Sequence, residues 1–276
     1  FQRTISKIIM LALYRLKKII TSLLPPVLFD IFLLSFYKLK GKAIKSTIRQ
    51  ELEPSIPCKK DLSYSNGSKI YNIPIEKVFH YGGQCFNSVD QPFYRFLELG
   101  KQSFKEYYEN HHPSSVFEAH NLKKPNKFED FDYRLPWLDQ PQGNLGEEFG
   151  LNHLHGHSAF GPVSDKKFKL EIYRLETCLE SLKKYGYVEW QVFPSIDADL
   201  PRGYLLQNKS GDFSVHIISG KHRVACMAYL GWKNIPIKFD ILLPRVVSEE
   251  DCANWPGVIN GCYNEADATS IFNTYF

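Results

Sequence analysis

Residues 214–239 read SVHIISGKHRVACMAYLGWKNIPIKF, and the order of patterns within them decides the fold. An alternating apolar run ends at Gly220, an alanine-rich helical pattern follows at once, and the apolar run NIPIKF closes the stretch. Alternation with a period of two predicts a strand, and small and apolar residues at helical spacing predict a helix. The stretch therefore predicts a strand, a sharp turn that glycine permits, a helix and a second strand.

The first turn of that helix carries Lys221, His222 and Arg223. Cations at a helix N-terminus oppose the helix dipole, which costs about 0.3–1 kcal/mol each. A bound anion would offset this cost, because the free backbone N–H groups and the cationic side chains would converge on it. The alternative is that Lys221 is merely solvated and that Arg223 pairs with a nearby acid such as Asp212.

The helix that precedes this module has the clearest pattern in the chain. Its apolar side chains recur at steps of three and four, Ser164 or Asp165 can cap its start, and Gly186 follows as a stop. These apolar positions are Phe168, Ile172, Leu175, Leu179 and Leu182. The runs VEWQVF and RGYLLQN beyond it predict short strands, and NKSGDF predicts a turn.

The chain before position 150 gives weaker signals. Residues 50–70 lack periodicity and are interpreted as a linker, and residues 111–150 as irregular. Between them, PFYRFLELGKQSFKEYYEN predicts a helix over 92–110 with Pro92 in its first turn and Gly100 as a weak point.

Histidines alternate at positions 153, 155 and 157, so an extended segment would place them on one side. Three imidazoles on one face can bind zinc or iron. The glycines and Ser158 beside them instead indicate a tight loop, and no carboxylate or cysteine stands at a diagnostic spacing. We therefore expect no metal here, and we interpret His155, His157 and Ser158 as residues that face a phosphate or a substrate.

The N-terminus is basic and apolar. Residues 1–50 hold ten Lys or Arg and one acid, Asp30, while the whole chain has a net charge of +4. The apolar segment Ile19–Tyr37 nearly has the length of a membrane span, but Pro25-Pro26 interrupts it. We expect residues 5–45 to lie on an anionic membrane surface, the alternative being an amphipathic helix docked on the protein core. The acidic remainder of the chain argues against a nucleic-acid partner.

The region from the helix end ESLKKYGY to IISGKHRVACMAYLGWKNIPIKF resembles the ParB/sulfiredoxin-like fold. The signature of that fold is a strand, a G-x-[HR]-R turn, an alanine-rich helix that ends near LG, and an IPV-like strand. The resemblance covers roughly residues 165–240 and is more specific for fold than for chemistry. It implies that the turn binds the phosphates of a nucleotide through Gly220, Lys221, His222 and Arg223.

Departures from the family pattern narrow the chemistry. Sulfiredoxins carry their catalytic cysteine directly before the His-Arg pair, where this chain has Lys221. ParB partition proteins continue into a helix-turn-helix domain, for which the stretch after Asp240 is expected to be too short. The turn is most similar to the G-x-H-R turn of the ATP- or ADP-dependent free serine kinases, which use an acidic base and Mg²⁺. The resemblance thus implies ATP or ADP with Mg²⁺. The candidates for the acidic base are Asp165, Glu171 and Asp212, because they lie beside the loops of this module, and His222 of the turn is a further catalytic candidate.

The chain is also similar to proteins of this fold encoded among bacterial surface-polysaccharide genes. We therefore expect an α+β protein with an aromatic-rich N-terminal extension. Its predicted segments are a basic membrane-proximal helical segment at 1–50, a linker and aromatic-rich extension at 51–149, a ParB/sulfiredoxin-like domain at 150–245, and a packed C-terminal tail at 246–276.

The expected function is a nucleotide-dependent, kinase-like phosphotransfer to a small hydroxylated acceptor, such as a sugar or glycan precursor. The expected location is the cytoplasm, peripherally on the inner face of the cell membrane. The alternative is a non-catalytic nucleotide-sensing or scaffold protein of envelope assembly, and a DNA-binding ParB-like protein ranks below both.

Overall fold

The structure is a computed structural model that describes residues 46–48, 53–55, 57, 62, 69–125, 134–138, 155–189, 200–239 and 245–276. The predicted basic segment at 1–50 lies almost wholly outside these residues, as do His153 and most of the run VEWQVF. None of the described helices is long and apolar enough to cross a lipid bilayer.

The described elements are strands and helices mixed along the chain, with three consecutive helices between Pro92 and Tyr185 and three consecutive strands between Tyr187 and Ser219. The strands are β1 (Ser46–Ile48), β2 (Ile70–Pro74), β3 (Val78–Phe79), β4 (Tyr187–Glu189), β5 (Arg202–Gln207), β6 (Phe213–Ser219), β7 (Asn234–Phe239) and β8 (Val246–Ser248). The α-helices are α1 (Pro92–Asn110), α2 (Val116–Ala119), α3 (Asp165–Tyr185), α4 (Lys221–Tyr229), α5 (Pro256–Ile259) and α6 (Glu265–Asn273). Short 3₁₀ helices cover Ile75–Lys77 and Glu249–Asn254.

The chain divides into two compact units. One comprises Phe1–Thr47 and Val188–Asp199, and β1 pairs with β4 in a two-stranded sheet. The other comprises Ile48–Tyr187 and Leu200–Phe276 and contains the main sheet and all of the candidate site.

The main sheet has the strand order β2-β7-β5-β6-β3, with β8 also paired to β5. It is mixed, because β5 is antiparallel to β6 whereas β3 is parallel to β6 with Phe79 opposite His216. The α+β class predicted from the sequence is confirmed. Since parallel strands end at the same edge of a sheet, the residues after β3 and after β6 are brought to one edge.

Both faces of the main sheet are covered. Alternation along β5 places Leu205 in one hydrophobic cluster and Tyr204 and Leu206 in the other. Helices α1, α3 and α4 contribute to the first cluster, and α2, residues 134–138, α5 and α6 contribute to the second. The sheet is therefore the middle of three layers, and its edges are where polar groups can meet solvent.

The helices predicted from periodicity are confirmed, together with their caps. Helix α1 begins at Pro92 and leaves helical geometry at Gly100, where φ is 83°. In α3 the Ser164 side chain accepts a hydrogen bond from the Lys167 N–H, and the helix ends at Gly186, where φ is 67°. Both glycines have a positive φ, which is costly for residues with a side chain, so glycine is favoured at these positions.

The predicted strand–turn–helix–strand is also confirmed, as β6, Gly220, α4 and β7. The predicted domain boundaries at 150 and 245 stay predictions. The main sheet takes β2 and β3 from before position 150 and β8 from after position 245.

Candidate functional site

The site is built on the turn that joins β6 to α4. Gly220 has φ 82° and ψ 19°, and a Cβ at this position would lie 2.8 Å from the Cα of Pro201. Gly220 is also the N-cap of α4, so no cap side chain accepts the first N–H groups of this nine-residue helix. No acidic residue lies in the first turn of α4. The turn therefore presents backbone donors and positive charge together.

Lys221 is partly buried at the first position of α4. Within the described part of the chain its ammonium has no hydrogen bond and no carboxylate within ion-pair distance. Burial lowers its pKa to about 8, Glu171 opposes this shift, and the charge of Lys167 adds to it. A partly buried cation without a close counter-ion is costly, so this arrangement favours an anionic ligand.

Glu171 and His222 form a pair between α3 and α4. The His222 Nε2–H lies in hydrogen-bond contact with Glu171 Oε2, and Glu171 is only 3% exposed. Burial acts to raise the pKa of Glu171, but His222, Arg174 and Lys167 together hold that pKa below its ordinary value. Phe93 of α1 stacks on the His222 ring at 4.5 Å between ring centroids. The carboxylate is therefore ionised, and the imidazole is fixed on two sides.

Arg223 follows on the same turn of α4. Its Nη1 atom is buried and has no hydrogen-bond partner among the described residues. A guanidinium with a buried N–H that lacks an acceptor can donate it to a carboxylate or phosphate oxygen of a ligand.

Three histidines within electrostatic range of Lys221 are uncharged. His80 follows β3, His157 lies before α3, and His216 lies in β6 stacked on Tyr204 at 5.0 Å. Burial lowers the pKa of all three, to about 3 for His216, and the Lys221 charge lowers each pKa further. They therefore act as neutral hydrogen-bonding groups around the cation.

The loop before α3 is held against the same region by Lys167. The Lys167 side chain is buried and its ammonium donates to the carbonyl of Gly156. Burial lowers the pKa of Lys167, Glu171 acts to raise it, and Arg174 lowers it further. Cations thus outnumber carboxylates around Glu171, which again favours an anion from outside the protein.

The structure brings together most of the residues predicted for the turn. Gly220, Lys221, His222 and Arg223 are consecutive, Glu171 contacts His222, and His157 lies within electrostatic range of Lys221. These contacts place the predicted residues in one site, and the roles assigned to them stay predictions.

Four other predicted residues lie away from the turn or are engaged elsewhere. Asp212 lies at the opposite end of β6, where both carboxylate oxygens accept from Lys77 Nζ at 2.9 Å. Asp165 is exposed in the first turn of α3. His155 Nδ1 shares a hydrogen bond with Ser164 Oγ at 2.9 Å, and the Ser158 carbonyl accepts from Tyr108 OH. The proposed pairing of Arg223 with Asp212 is wrong, because β6 separates them by the length of seven residues, about 23 Å.

Sequence reasoning missed His80, Lys167 and His216. His216 could have been found, because it alternates with the buried Val215 and Ile217 and therefore points to the other face of β6. His80 follows a strand of only two residues, which gives no periodic signal.

No group of three histidine, cysteine or acidic side chains in the described parts of the chain is placed to hold a metal ion. Comparison with protein-family models, curated proteins and solved structures finds no match for this chain.

Proposed function

We propose that this chain is a nucleotide-dependent phosphotransferase that acts on a small hydroxylated acceptor. The observation that carries the proposal is the turn at 220–223. There, Lys221 lies at the start of α4 with no close counter-ion among the described residues, beside the pair that the buried Glu171 forms with His222. A phosphate donor satisfies the cation and the free N–H groups, and the adjacent pair supplies proton transfer.

The phosphates would bind at the N-terminus of α4. Lys221, the Arg223 guanidinium and the backbone N–H groups of the first turn are the donors, and the neutral histidines around Lys221 add no competing positive charge. Phosphoryl transfer depends mainly on positioning and charge stabilisation, which this donor set provides.

His222 would act as the general base. Because its Nε2–H contacts Glu171, its Nδ1 carries the lone pair and can accept the proton of an acceptor hydroxyl. The acceptor oxygen then forms a bond to the terminal phosphorus. The bond from that phosphorus to the bridging oxygen breaks, and the nucleotide leaves one phosphoryl group shorter. The ionised Glu171 orients the ring and stabilises the imidazolium that forms, as a carboxylate does beside a catalytic histidine.

The magnesium ion expected with the nucleotide finds little support in the described side chains. Mg²⁺ prefers one or two carboxylates together with phosphate oxygens. Glu171, the carboxylate at the turn, is already bonded to His222, and Asp165 is exposed on the first turn of α3. The catalytic steps proposed for this chain therefore use protein groups only, and the metal stays a prediction.

The ParB/sulfiredoxin-like core is part of the same proposal. Support comes from the order of β5, β6, the Gly220 turn, α4 and β7, which follows the order that the sequence resemblance implies. The placement on a membrane face, through residues 5–45, and a role in surface glycan synthesis are likewise proposed, since those residues lie outside the described part of the chain.

Calorimetric titration with ATP, ADP and CTP, each with Mg²⁺, tests the nucleotide site. We expect Lys221→Met to weaken nucleotide binding by about tenfold or more, because a charge-assisted hydrogen bond is lost. Lys233→Met is the matched control, since Lys233 is exposed beyond the other end of α4. Lack of nucleotide binding, or equal effects of the two substitutions, would contradict the proposal.

Phosphoryl transfer is tested with radiolabelled nucleotide across a panel of sugars and other hydroxylated acceptors. Product that depends on His222 supports the phosphotransferase. Nucleotide binding without transfer to any acceptor or to water would instead favour the sensing or scaffold function.

A further inference from the structure

His80 has a fixed tautomer and a hydrogen-bond donor for which the described residues offer no acceptor. The Gln91 side-chain oxygen accepts from the Tyr94 N–H at 2.7 Å, so its amide nitrogen is the group that faces His80 Nδ1, at 3.4 Å. His80 Nδ1 is therefore an acceptor, and Nε2 carries the hydrogen. His80 is fully buried, and within the described residues its Nε2 has no hydrogen-bond partner.

The position of this donor follows from the sheet. His80 is the first residue after β3, and β3 is parallel to β6, so both strands lead to the edge where the Gly220 turn begins. Burial lowers the pKa of His80, and the Lys221 charge lowers it further. The His80 ring also packs against Phe93, the residue that stacks on His222. His80 is thus part of the wall of the proposed phosphate site.

The His80 N–H and the Lys221 ammonium are both hydrogen-bond donors, and neither has an acceptor among the described residues. A buried donor left without a partner costs about 1–3 kcal/mol, and a cation beside it deepens that cost. His216 Nδ1 is also buried and has no hydrogen-bond partner in the described parts of the chain, although its tautomer is not fixed by a neighbour there. An oxyanion would satisfy both the His80 N–H and the Lys221 ammonium, whereas a cation would be repelled by Lys221.

We propose that His80 Nε2–H and Lys221 Nζ together form an oxyanion subsite behind the 220–223 turn, which binds an anionic oxygen of the substrate. The oxygen belongs either to a phosphoryl group of the nucleotide or to an acidic group of the acceptor. His80 is a binding residue in this scheme. The subsite favours ligands that carry a second anionic oxygen in addition to the phosphate bound at the turn. The subsite deepens the proposed function, but its test needs no nucleotide.

Inorganic phosphate is the first probe, titrated into the full chain while the side-chain ¹H–¹⁵N signals of histidine are recorded by NMR. We expect the His80 Nε2–H signal to appear as the protonated nitrogen and to move downfield as phosphate binds. His80→Asn keeps an acceptor for Gln91 and removes the Nε2–H donor, so we expect phosphate affinity to fall about tenfold. His80→Gln retains an N–H group at the Nε2 position, so we expect it to restore most of the affinity.

His120→Asn is the matched control for His80. His120 is buried too, but it donates from Nδ1 to Thr274 Oγ1, which itself donates to the Ile271 carbonyl, so the free Nε2 of His120 is an acceptor. Burial alone lowers the pKa of His120, to about 4, with no contribution from Lys221. We expect phosphate affinity to be unchanged in this variant.

The subsite would be overturned if the His80 signal did not move during the phosphate titration. Equal phosphate affinities of the His80→Asn and His80→Gln variants would also overturn it, and a buried water would then be the acceptor of the His80 N–H. If the histidine variants fail to fold, the signal of the unmodified protein still decides. Movement with nucleotide alone assigns the oxygen to the nucleotide. If the His80 signal moves only when acetate or phosphate is added to the nucleotide-saturated protein, the bound oxygen belongs to the acceptor.

Failure of this inference is separable from failure of the proposed function. Phosphate that moves the His80 signal in a chain that binds no nucleotide would contradict the phosphotransferase and keep the subsite. Nucleotide turnover with an unmoved His80 signal would support the phosphotransferase and contradict the subsite.

Discussion

The two ends of strand β6 carry similar residues, but they differ in whether the lysine there is paired with a carboxylate in the described structure. Before β6, Asp212 and Lys77 form an exposed ion pair, and Gly211 adopts φ 84°. After β6, Gly220 adopts φ 82°, and Lys221 lies partly buried with no carboxylate within ion-pair distance in the described residues. Both turns use a left-handed glycine and charged side chains, but only the first satisfies its charges internally.

The difference separates a turn that serves folding from one that fits a ligand. An exposed ion pair contributes little free energy and needs no explanation beyond local geometry. A partly buried lysine beside buried donors that have no acceptor among the described residues is costly in the free protein, and the cost is removed when an anion binds. The contrast can be tested by changing matched residues at the two ends.

The largest expected effect is on catalysis at the second turn. His222→Asn removes the proposed base, so we expect the rate constant of phosphoryl transfer to fall on the order of 10²–10⁴-fold while nucleotide affinity changes little. Single-turnover rates and equilibrium binding, measured separately, check this. A loss of affinity that accounts for the whole loss of rate would assign His222 to binding instead.

Alanine substitutions of the two glycines should differ in their effect on stability. Gly211→Ala adds a Cβ into open space and costs about 1 kcal/mol through its positive φ alone. Gly220→Ala places the same atom 2.8 Å from the Pro201 Cα, so we expect a loss of about 2–3 kcal/mol. Urea unfolding of both variants gives the two values, and equal losses would show that the backbone at Pro201 yields to the added atom.

Anion binding at the second turn should weaken with rising pH. Binding requires the charged form of Lys221, whose pKa is about 8, so affinity should fall above that pH by up to about tenfold per unit. Sulfate is the suitable probe because its own charge is constant over this range. Five other titratable groups face the Lys221 ammonium, and the pKa of each is below its ordinary value. They are Glu171, Lys167, His80, His157 and His216.

Lys221→Arg is the control for this pH dependence. Arginine stays charged throughout the range, so sulfate affinity should become independent of pH between 7 and 10. A fall that persists in the arginine variant would assign the titration to another group. In the unmodified protein without ligand, the folded state releases the Lys221 proton above about 8, whereas the unfolded chain keeps it to about 10.5. Deprotonation of Lys221 in the folded state should therefore make the free energy of unfolding rise as the pH increases from about 8 to about 10.5.

The smallest effect is expected at the first turn. Lys77→Met breaks the pair with Asp212, whose carboxylate is about half exposed, so we expect a loss of at most about 1 kcal/mol and no change in nucleotide or sulfate binding. A change in binding there would contradict the assignment of ligand recognition to the Gly220 end alone.

The elements of the second turn could be predicted because their signals are local. Alternation in β6, the glycine at 220, the alanines of α4 and the three-and-four spacing of α3 each lie within a few residues of sequence. Glu171 was among the predicted acids, but its choice over Asp165 and Asp212 could not be made, because the contact with His222 joins two helices distant in sequence.

The sequence by itself determined the α+β class, the bounds of the main helices, and the concentration of positive charge at 221–223. These follow from periodicity and from the backbone preferences of glycine and proline, which act over a few residues. Only the tertiary structure decided which groups surround that charge. Parallel pairing of β3 with β6 brings His80 within electrostatic range of Lys221, and packing of α3 on α4 brings Glu171 to His222. Burial then fixes the protonation of these groups, and burial depends on the whole fold.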